Sequence, residues 1–189
     1  IKLCSTHSEI VKLNKGSLTS NKVEVINNDA FNYIRNTNKL FDVIIIDLPD
    51  PTNESLAKLY SKTFYERISN ILNINGVASV QSSSPFFARK VFWCIGKTIE
   101  SVGLFTYPYH VNVPIWDDWG FHLILKRNVG TENLLKLHNL SVSTSFLTDR
   151  LIPTLFVFPK DSEKIETEIN TLINPIILKY EEEAYKKWN

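Results

Sequence analysis

Residues 41–51, FDVIIIDLPDP, decide the predicted fold, because an unbroken apolar run ends in a segment with two aspartates and two prolines. Residues 43–46 have no polar face, which is typical of a central strand in a sheet covered on both sides by helices. Ligands of such sheets bind just beyond the carboxyl ends of the strands. Asp47 and Asp50 are therefore predicted to lie in a functional site.

Turn formation is the alternative interpretation of the two aspartates. Asp50 is followed by Pro51 and Asn53, a combination that forms turns and caps helices. For Asp50 alone, the structural and the functional interpretations both stay open. The structural one suits Asp47 less well, because this carboxylate is joined directly to an apolar strand, where a charged group usually has a partner or a function.

Size and composition indicate one globular domain. The 189 residues are 43% hydrophobic and 22% charged, which predicts a substantial core and argues against disorder. The 21 basic and 20 acidic residues are dispersed, so no basic stripe predicts a nucleic-acid partner. A cationic ligand would therefore need local carboxylates. The apolar runs are short, and we expect neither a membrane span nor an export signal within this chain.

No metal site is predicted. Cys4 and Cys94 lack the spacing of metal ligands or of a disulfide framework, which favours reduced thiols in a cytosolic setting. The four histidines are scattered, and we assign none of them to a metal.

Strand and helix patterns alternate over the first hundred residues. Helices are predicted at 1–14, 30–35, 53–59, 61–75 and 85–102, and strands at 23–26, 41–46 and 77–81. Residues 104–113 and 120–127 then form two strands with a connection too short for a parallel crossover. The fold class is α/β, with a Rossmann-like sheet of the class I methyltransferase type, mostly parallel and finished by a C-terminal antiparallel hairpin.

The C-terminal part is predicted to be helical. Residues 128–139 are polar and linker-like. Residues 161–187 have the pattern of amphipathic helices interrupted at Pro175. The charges at 181–183 and 186–187 are interpreted as a solvated face of this tail.

Five segments carry a resemblance to a known family: NNDAF at 27–31, FDVIIIDLPDP at 41–51, LYSKTFY at 59–65, QSSSP at 81–85 and VPIWDDWGF at 113–121. In this order and spacing, the chain resembles the C-terminal part of the catalytic domain of spermidine synthases, which are polyamine aminopropyltransferases. FWC at 92–94 and LFVFPKD at 155–161 resemble the bacterial type in which a membrane-embedded region precedes the catalytic domain. The resemblance divides the chain into residues 1–130, part of that domain, and residues 131–189, a helical extension that packs on it.

The resemblance implies a reaction and a cellular setting. An aminopropyl group passes from decarboxylated S-adenosylmethionine to putrescine, which gives spermidine and methylthioadenosine. The nucleoside is a co-substrate, and no cofactor is bound permanently. The catalytic domain is expected to be cytoplasmic, in a parent protein attached to the inner face of the cell membrane through an N-terminal region. A homodimer is compatible with the resemblance.

Four residues are implied at the acceptor site. Asp47 matches the base at the attacking amine, Asp50 orients the diamine, and Gln81 and Trp116 contact it. An aromatic face at Trp116 suits both a methylene chain and a cation. Two structural alternatives stay open: Gln81 as a polar strand end with satisfied hydrogen bonds, and Trp116 as a hydrophobic residue at the tip of a hairpin.

Two residues are implied at the donor site. Asp29 matches the position that accepts a hydrogen bond from the adenine amino group, with Ala30 beside it. A helix cap explains Asp29 equally well, and both roles can hold together. Trp119 is expected in the core. Asp117 and Asp118 either add negative potential at the mouth of the site or form a turn.

Three family features do not occur in the chain: a glycine-rich loop after the first strand, an acidic residue that holds the ribose, and a tyrosine-bearing gate segment. The strands concerned lie between strands 23–26 and 41–46 in this fold, so we expect a gap in the sheet and a native protein that extends N-terminally. The start at Ile1 and the lack of methionine agree with this expectation. The alternative functions are an S-adenosylmethionine-dependent small-molecule methyltransferase and a noncatalytic remnant of the fold.

Overall fold

The structure is a computed structural model that describes residues 1–115, 117–136 and 140–188. For residues 187 and 188 it describes the backbone but not the side chains. Its α-helices are α1 (Lys2–Thr6), α2 (Ser8–Asn14), α3 (Ala30–Asn36), α4 (Glu54–Ala57), α5 (Lys62–Ile71), α6 (Arg89–Glu100), α7 (Thr131–Leu135) and α8 (Ile176–Trp188). The strands are β1 (Phe41–Ile46), β2 (Leu72–Gln81), β3 (Phe105–Val113) and β4 (Asp117–Leu125). Short 3-10 helices span Ser17–Thr19, Lys58–Tyr60 and Ile152–Phe156.

The four strands form one sheet in the order β1-β2-β4-β3. β1 pairs with β2 in parallel, whereas β4 pairs antiparallel with both β2 and β3. The α/β class and the C-terminal antiparallel hairpin are thus confirmed. The sheet of the described residues is mixed, with one parallel pair of three, because its parallel part consists of β1 and β2 alone.

The prediction that β1 is a central strand is wrong for the described part of the chain, where β1 lies at the edge of the sheet. One face of β1 packs inward, with Ile46 only 7% exposed. The other face is open, with Val43 60% and Ile45 78% exposed. An apolar sequence shows that a strand is suited to burial on both faces. It does not show whether the helices and strands that would bury it are present.

The strand predicted at residues 23–26 does not form. This segment has no regular secondary structure, and Val23, Val25 and Ile26 are all exposed. The reason is physical: an extended segment becomes a strand only when a neighbouring backbone accepts and donates its hydrogen bonds. No described strand pairs with residues 23–26, so the sheet ends at β1 instead of continuing across a gap.

Three predicted helix starts are confirmed by their caps. The side chains of Asp29, Asn53 and Ser61 accept hydrogen bonds from backbone N–H groups in the first turns of α3, α4 and α5. These bonds satisfy N–H groups that the helix itself leaves without a partner. The start of α4 follows directly on the segment that holds Asp47 and Asp50 and therefore limits the length of that loop.

The core lies between the sheet and helices α5 and α6. Its fully buried side chains include Tyr60, Tyr65, Ile68, Leu72, Phe92, Ile95 and Ile99. α6 begins four residues later than the predicted helix at 85–102, after a turn at 85–88. None of the helices within the described residues combines the length and the apolar content needed to cross a membrane.

The tail has one long helix where more than one was predicted. Residues 161–175 contain no helix, and α8 follows Pro175. Polar groups of α6 bind the backbone of the segment instead: Trp93 Nε1 donates to Ser162 O at 3.1 Å, and Arg89 Nη2 donates to Glu163 O at 2.7 Å. These bonds compete with the hydrogen bonds of a helix, and they bring α8 back against α4 and α6.

Asn170 fastens this tail to the core. Its side chain donates to Ala57 O at 3.1 Å, its N–H donates to Thr98 Oγ1 at 3.0 Å, and its carbonyl accepts from Lys62 N at 2.8 Å. Asn170 is fully buried, so each bond replaces a contact with water and fixes its position. The tail is therefore an integral part of the folded unit.

β4 approaches the end of β2 closely at Gly120. The N–H of Gly120 donates to Ser83 O at 2.7 Å, and its carbonyl accepts from Ser82 N at 2.9 Å. A Cβ at this position would lie 2.5 Å from Phe92 Cε2 and 2.8 Å from Ser83 O. Only glycine allows the two segments to meet at this distance.

Gly120→Ala is therefore expected to destabilise the protein by about 1–3 kcal/mol, because the added methyl group overpacks a site with backbone on one side. Thermal unfolding of the complete protein measures this effect. Gly103→Asn is the matched control, since Gly103 has a φ of 79° and no atom within 4 Å of an added Cβ, and asparagine tolerates this conformation. Equal melting temperatures for Gly120→Ala and the parent protein would contradict the close approach.

Candidate functional site

A cavity of about 720 Å³ opens where the parallel strands end. Its lining residues are Asp47, Leu48, Pro49, Asp50, Gln81, Val113 and Trp119. The structure thus brings together three of the residues that sequence reasoning singled out: Asp47, Asp50 and Gln81. Trp116, the fourth residue expected at the acceptor site, lies outside the described residues.

The parallel pairing of β1 and β2 places these groups at one edge. Ile46 is paired with Val80, so Asp47 and Gln81 each follow the last matched pair of their strands. Asp50 reaches the same edge through the short Leu48-Pro49 connection before α4. The location beyond the carboxyl ends of parallel strands is the one usual for ligands in open α/β sheets.

A hydrogen-bond network holds Asp50 in this cavity. Gln81 Nε2 donates to Asp50 Oδ1 at 3.1 Å. The Tyr60 hydroxyl lies 3.3 Å from Gln81 Oε1, 3.2 Å from Leu48 O and 3.0 Å from Pro49 O, and it donates to one of these acceptors at a time. Tyr60 therefore stabilises both the connecting loop and the amide orientation of Gln81.

Sequence reasoning missed the role of Tyr60, although LYSKTFY was quoted as a family segment. Its ring is fully buried beside the loop. Burial raises the pKa of the Tyr60 hydroxyl far above its usual value, and the nearby carboxylates of Asp50, Glu181 and Asp47 raise it further. The hydroxyl thus remains a neutral hydrogen-bond donor under all ordinary conditions.

Burial raises the pKa of the Asp50 carboxyl, and the hydrogen bond from Gln81 opposes this shift. Because desolvation disfavours the charged form, the Asp50 carboxylate gains stability from any cation that enters the cavity. Asp47, by contrast, is exposed at the end of β1. The two aspartates thus lie in different environments within one cavity.

A second cavity of about 300 Å³ adjoins the first, since Asp50 and Trp119 line both. Its other lining residues are Ser83, Ser84, Phe87, Ala88, Glu181, Ala184 and Tyr185. Trp119, which was expected in the core, is only partly buried and borders both cavities. It lies there because β4 pairs with the end of β2 and carries the tryptophan to the rim of the site.

Glu181 in α8 was predicted to lie on a solvated face, and this prediction is wrong. The residue is only 4% exposed, and neither carboxylate oxygen has a hydrogen-bond partner among the described residues. Burial raises the pKa of Glu181 to about 7, and the Asp50 carboxylate adds to the shift. The helical period gave a partial signal, because the fully buried Ile177 lies four residues before Glu181 and shares its face.

Ser83 adds backbone strain in the wall of the second cavity. Its φ of 64° lies in the left-handed region, which residues with a Cβ rarely adopt. The conformation directs Ser83 O towards the N–H of Gly120, and Ser82 and Ser84 on either side are also buried. Strain of this kind is concentrated in functional sites, where the surrounding structure maintains it.

Asp29 and Ala30, expected at the donor site, do not line either cavity. Asp29 caps α3 through Asn32 N at 2.9 Å and pairs with Lys58 Nζ at 3.0 Å. The hydrogen bond from Asn32 and the one from Lys58 hold the pKa of Asp29 below its usual value. The cap interpretation of Asp29 is thus confirmed, and the carboxylate remains partly exposed to further donors.

Structural interactions account for Asp117 and Asp118. Asp117 has a φ of 72° at the start of β4, which agrees with turn formation. Asp118 Oδ1 lies 2.6 Å from His110 Nδ1, and the other ring nitrogen of His110 lies 2.7 Å from Val157 O. Within the part of the chain that the structure describes, no three acidic, histidine or cysteine side chains are grouped as metal ligands.

The chain is similar in sequence to proteins of one known family. The family model described as spermine/spermidine synthase domain matches residues 2–136. The chain is 40% identical over 192 residues to a polyamine aminopropyltransferase of Oceanobacillus iheyensis, covering 100% of this chain and 37% of that protein. It is 38% identical over 187 residues to the polyamine aminopropyltransferase of Leptospira interrogans, covering 99% of this chain and 36% of the relative.

Solved structures show the same fold. The spermidine synthase of Thermotoga maritima matches with a TM-score of 0.65 and 24% identity, over 84% of this chain and 54% of that chain. A spermidine synthase in complex with the transition state analogue AdoDATO also matches with a TM-score of 0.65, at 21% identity, over 80% of this chain and 56% of that chain. These matches confirm the predicted Rossmann-like, methyltransferase-type fold.

The chain spans little more than a third of the length of the curated relatives it matches. The resemblance noted from five sequence segments is nevertheless confirmed. The family model covers most of the chain, and the alignment with the Oceanobacillus iheyensis relative covers all of it. This chain belongs to the spermine/spermidine synthase family.

Proposed function

We propose that the complete protein transfers an aminopropyl group from decarboxylated S-adenosylmethionine to putrescine, giving spermidine and methylthioadenosine. The observation that carries this proposal is the meeting of Asp47, Asp50 and Gln81 in one cavity beyond two parallel strands, in a chain of the spermine/spermidine synthase family. Other features of the cavity support a diamine as the acceptor.

The charge of the cavity suits a diamine. Putrescine carries two positive charges at neutral pH, because alkyl amines have pKa values near 10. Two carboxylates line the cavity, and no lysine or arginine is among its described lining residues. Trp119 and Val113 supply apolar surface for the methylene chain, and an aromatic face also attracts a cation.

Asp47 is proposed as the group that receives the proton of the attacking amine. The nitrogen needs a free electron pair to form its bond to the methylene carbon of the donor. As this bond forms, the carbon–sulfur bond breaks, its electron pair stays on sulfur, and the positive sulfonium leaves as a neutral thioether. An aspartate is a weak base for this task, so much of its contribution is to orient the amine.

Asp50 and Gln81 are proposed to orient the diamine. The hydrogen bond from Gln81 fixes one oxygen of Asp50, which leaves the second oxygen for an ammonium group. Trp116 is proposed as an aromatic contact to the same acceptor. By holding the diamine, these residues position its attacking nitrogen relative to Asp47, and correct positioning alone can provide several orders of magnitude in rate.

Asp29 and Ala30 are proposed to contact the adenine of the donor. A carboxylate can accept more bonds than the two that Asp29 receives from Asn32 and Lys58, so the cap and an adenine contact can exist together.

The division into residues 1–130 and a C-terminal extension is part of the proposal. A cytoplasmic catalytic domain, membrane attachment of the parent protein and a homodimer stay predictions.

Asp47→Asn in the complete protein is expected to lower turnover by about two to four orders of magnitude, because general-base contributions have that size. Binding of methylthioadenosine should change little. Steady-state kinetics with putrescine and calorimetric titration of the nucleoside measure the two effects. Asp42→Asn is the matched control, since Asp42 is an exposed residue of the same strand whose bond to Asn73 lies away from the cavity. Undiminished turnover of Asp47→Asn would exclude Asp47 as the proton acceptor.

The products and the acceptor class provide a second prediction. The complete protein should release methylthioadenosine and spermidine, and putrescine should bind more tightly than a dicarboxylate of similar length. Added salt should weaken the binding of putrescine, because screening reduces the attraction between opposite charges. Chromatography of the products and titration at two salt concentrations test these points. Release of adenosylhomocysteine from S-adenosylmethionine would instead identify a methyltransferase.

A further inference from the structure

The carboxylate of Glu181 is the feature of the fold that the proposed reaction leaves unexplained. Both of its oxygens are buried, and neither has a hydrogen-bond partner in the part of the chain that the structure describes. Burial of a carboxylate without a partner is costly, so the fold alone gives no reason for an acidic residue here. The two carboxylate oxygens therefore keep unused hydrogen-bonding capacity, which suits a ligand group.

We infer that the cavity between Asp50 and Glu181 binds the distal ammonium group of the acceptor amine, with Glu181 as its counter-ion. This inference rests on the proposed function, because it extends the acceptor site past Asp50. It assigns the C-terminal helix α8 a direct part in choosing the substrate. Glu181, in the tail, would then recognise the second amine, whereas Asp47, at the end of β1, acts on the attacking amine.

The arrangement of the two cavities is the first argument. Asp50 and Trp119 line both cavities, whereas Asp47 lines only the first and Glu181 only the second, so the inference places one nitrogen of the diamine in each cavity. Phe87 and Trp119 provide apolar surface for the methylene groups between the two nitrogens. A cavity of about 300 Å³ is large enough for an alkylammonium end.

The charge of the second cavity is the second argument. Glu181 and Asp50 are acidic, and the remaining described lining residues are neutral at physiological pH. Two basic side chains of the adjoining helices are engaged elsewhere, since Lys90 pairs with Glu183 and Lys186 pairs with Glu182. Two neighbouring carboxylates without a cation repel one another, and an ammonium group between them removes the repulsion.

The attachment of α8 is the third argument, because a recognition residue must be held rigidly. α8 packs on α6 and α4, and the Lys90–Glu183 pair joins it to α6 at 2.7 Å. Asn170, just before α8, is fixed by the bonds to Ala57 and Thr98 described above. Glu181 is therefore placed by the same core that places Asp50.

Proton release provides a readout that a purely structural role would not give. The titratable groups that face Glu181 are Asp50, Tyr60 and Tyr185. With the pKa of Glu181 raised to about 7, a part of the free protein carries the proton at neutral pH. An ammonium group stabilises the carboxylate and lowers this pKa, so binding at pH 7 should release a fraction of a proton.

The decisive experiment compares putrescine with n-butylamine, which has the same carbon chain but lacks the distal ammonium. Glu181→Gln in the complete protein should weaken putrescine binding about 10- to 100-fold, as expected for loss of a charge-assisted contact. Butylamine binding should change less than about threefold, because the contact is absent for it. Glu182→Gln is the matched control, since Glu182 is the exposed neighbour on the same helix.

Calorimetry at pH 7 in two buffers of different ionisation enthalpy measures affinity and proton release together. The inference is supported if Glu181→Gln loses both putrescine affinity and proton release while Glu182→Gln keeps both. Equal weakening of both amines, or undiminished putrescine binding by Glu181→Gln, overturns it. Turnover by the parent protein is measured separately: binding as predicted without any aminopropyl transfer would overturn the proposed function and leave the site assignment standing.

Thermal unfolding shows that the variant is folded and tests the buried charge. The folded state holds the Glu181 proton up to a pH of about 7, whereas an unfolded glutamate releases it near 4.5. The stability of the free parent protein therefore decreases as the pH rises through this window. At pH 8, Glu181→Gln should melt at a higher temperature than the parent, and putrescine should reduce the difference. A lower melting temperature at pH 8 would mean that the fold needs the carboxylate, and it would overturn the inference.

Discussion

The parallel pairing of β1 with β2 is the constraint on which the site depends. Register matches Ile46 with Val80, so the chain leaves both strands at the same edge, with Asp47 on one side and Gln81 on the other. A shift of one residue would move the side chains of a strand to the opposite face. The antiparallel addition of β4 then brings Trp119 to this edge, and the close contact at Gly120 fixes the distance.

A second constraint acts from the tail. Residues 161–175 give up helical hydrogen bonds and instead bind Trp93 and Arg89 of α6, which leads α8 back to the loop that holds Asp50. Asn170 is the anchor of this path, with bonds to two helices of the core. The acidic site is thus assembled from residues more than a hundred positions apart in the sequence, although the sheet itself provides only one side of it.

Local structure was predicted well from the sequence wherever it depends on interactions between residues that are close in the chain. Asn53 and Ser61 cap helices because the bonding partner lies three residues away, and the short connection between β3 and β4 allows only an antiparallel pair. Features that depend on distant partners were not predictable in this way. Residues 23–26 have the composition of a strand but no described neighbour, and residues 43–46 are as apolar as a central strand although β1 lies at an edge.

The same distinction between local and distant interactions separates the site residues that were predictable from the one that was not. Asp47, Asp50 and Gln81 were predictable because strand ends of a parallel sheet meet at one edge, whereas Glu181 was hidden in a run of charges. Its burial depends on where the tail returns, and periodicity within α8 only shows that it shares a face with Ile177. Buried Glu181, partly buried Asp50 and strained Ser83 all oppose stability in the free protein. A cation that binds between Asp50 and Glu181 would offset the first two of these costs.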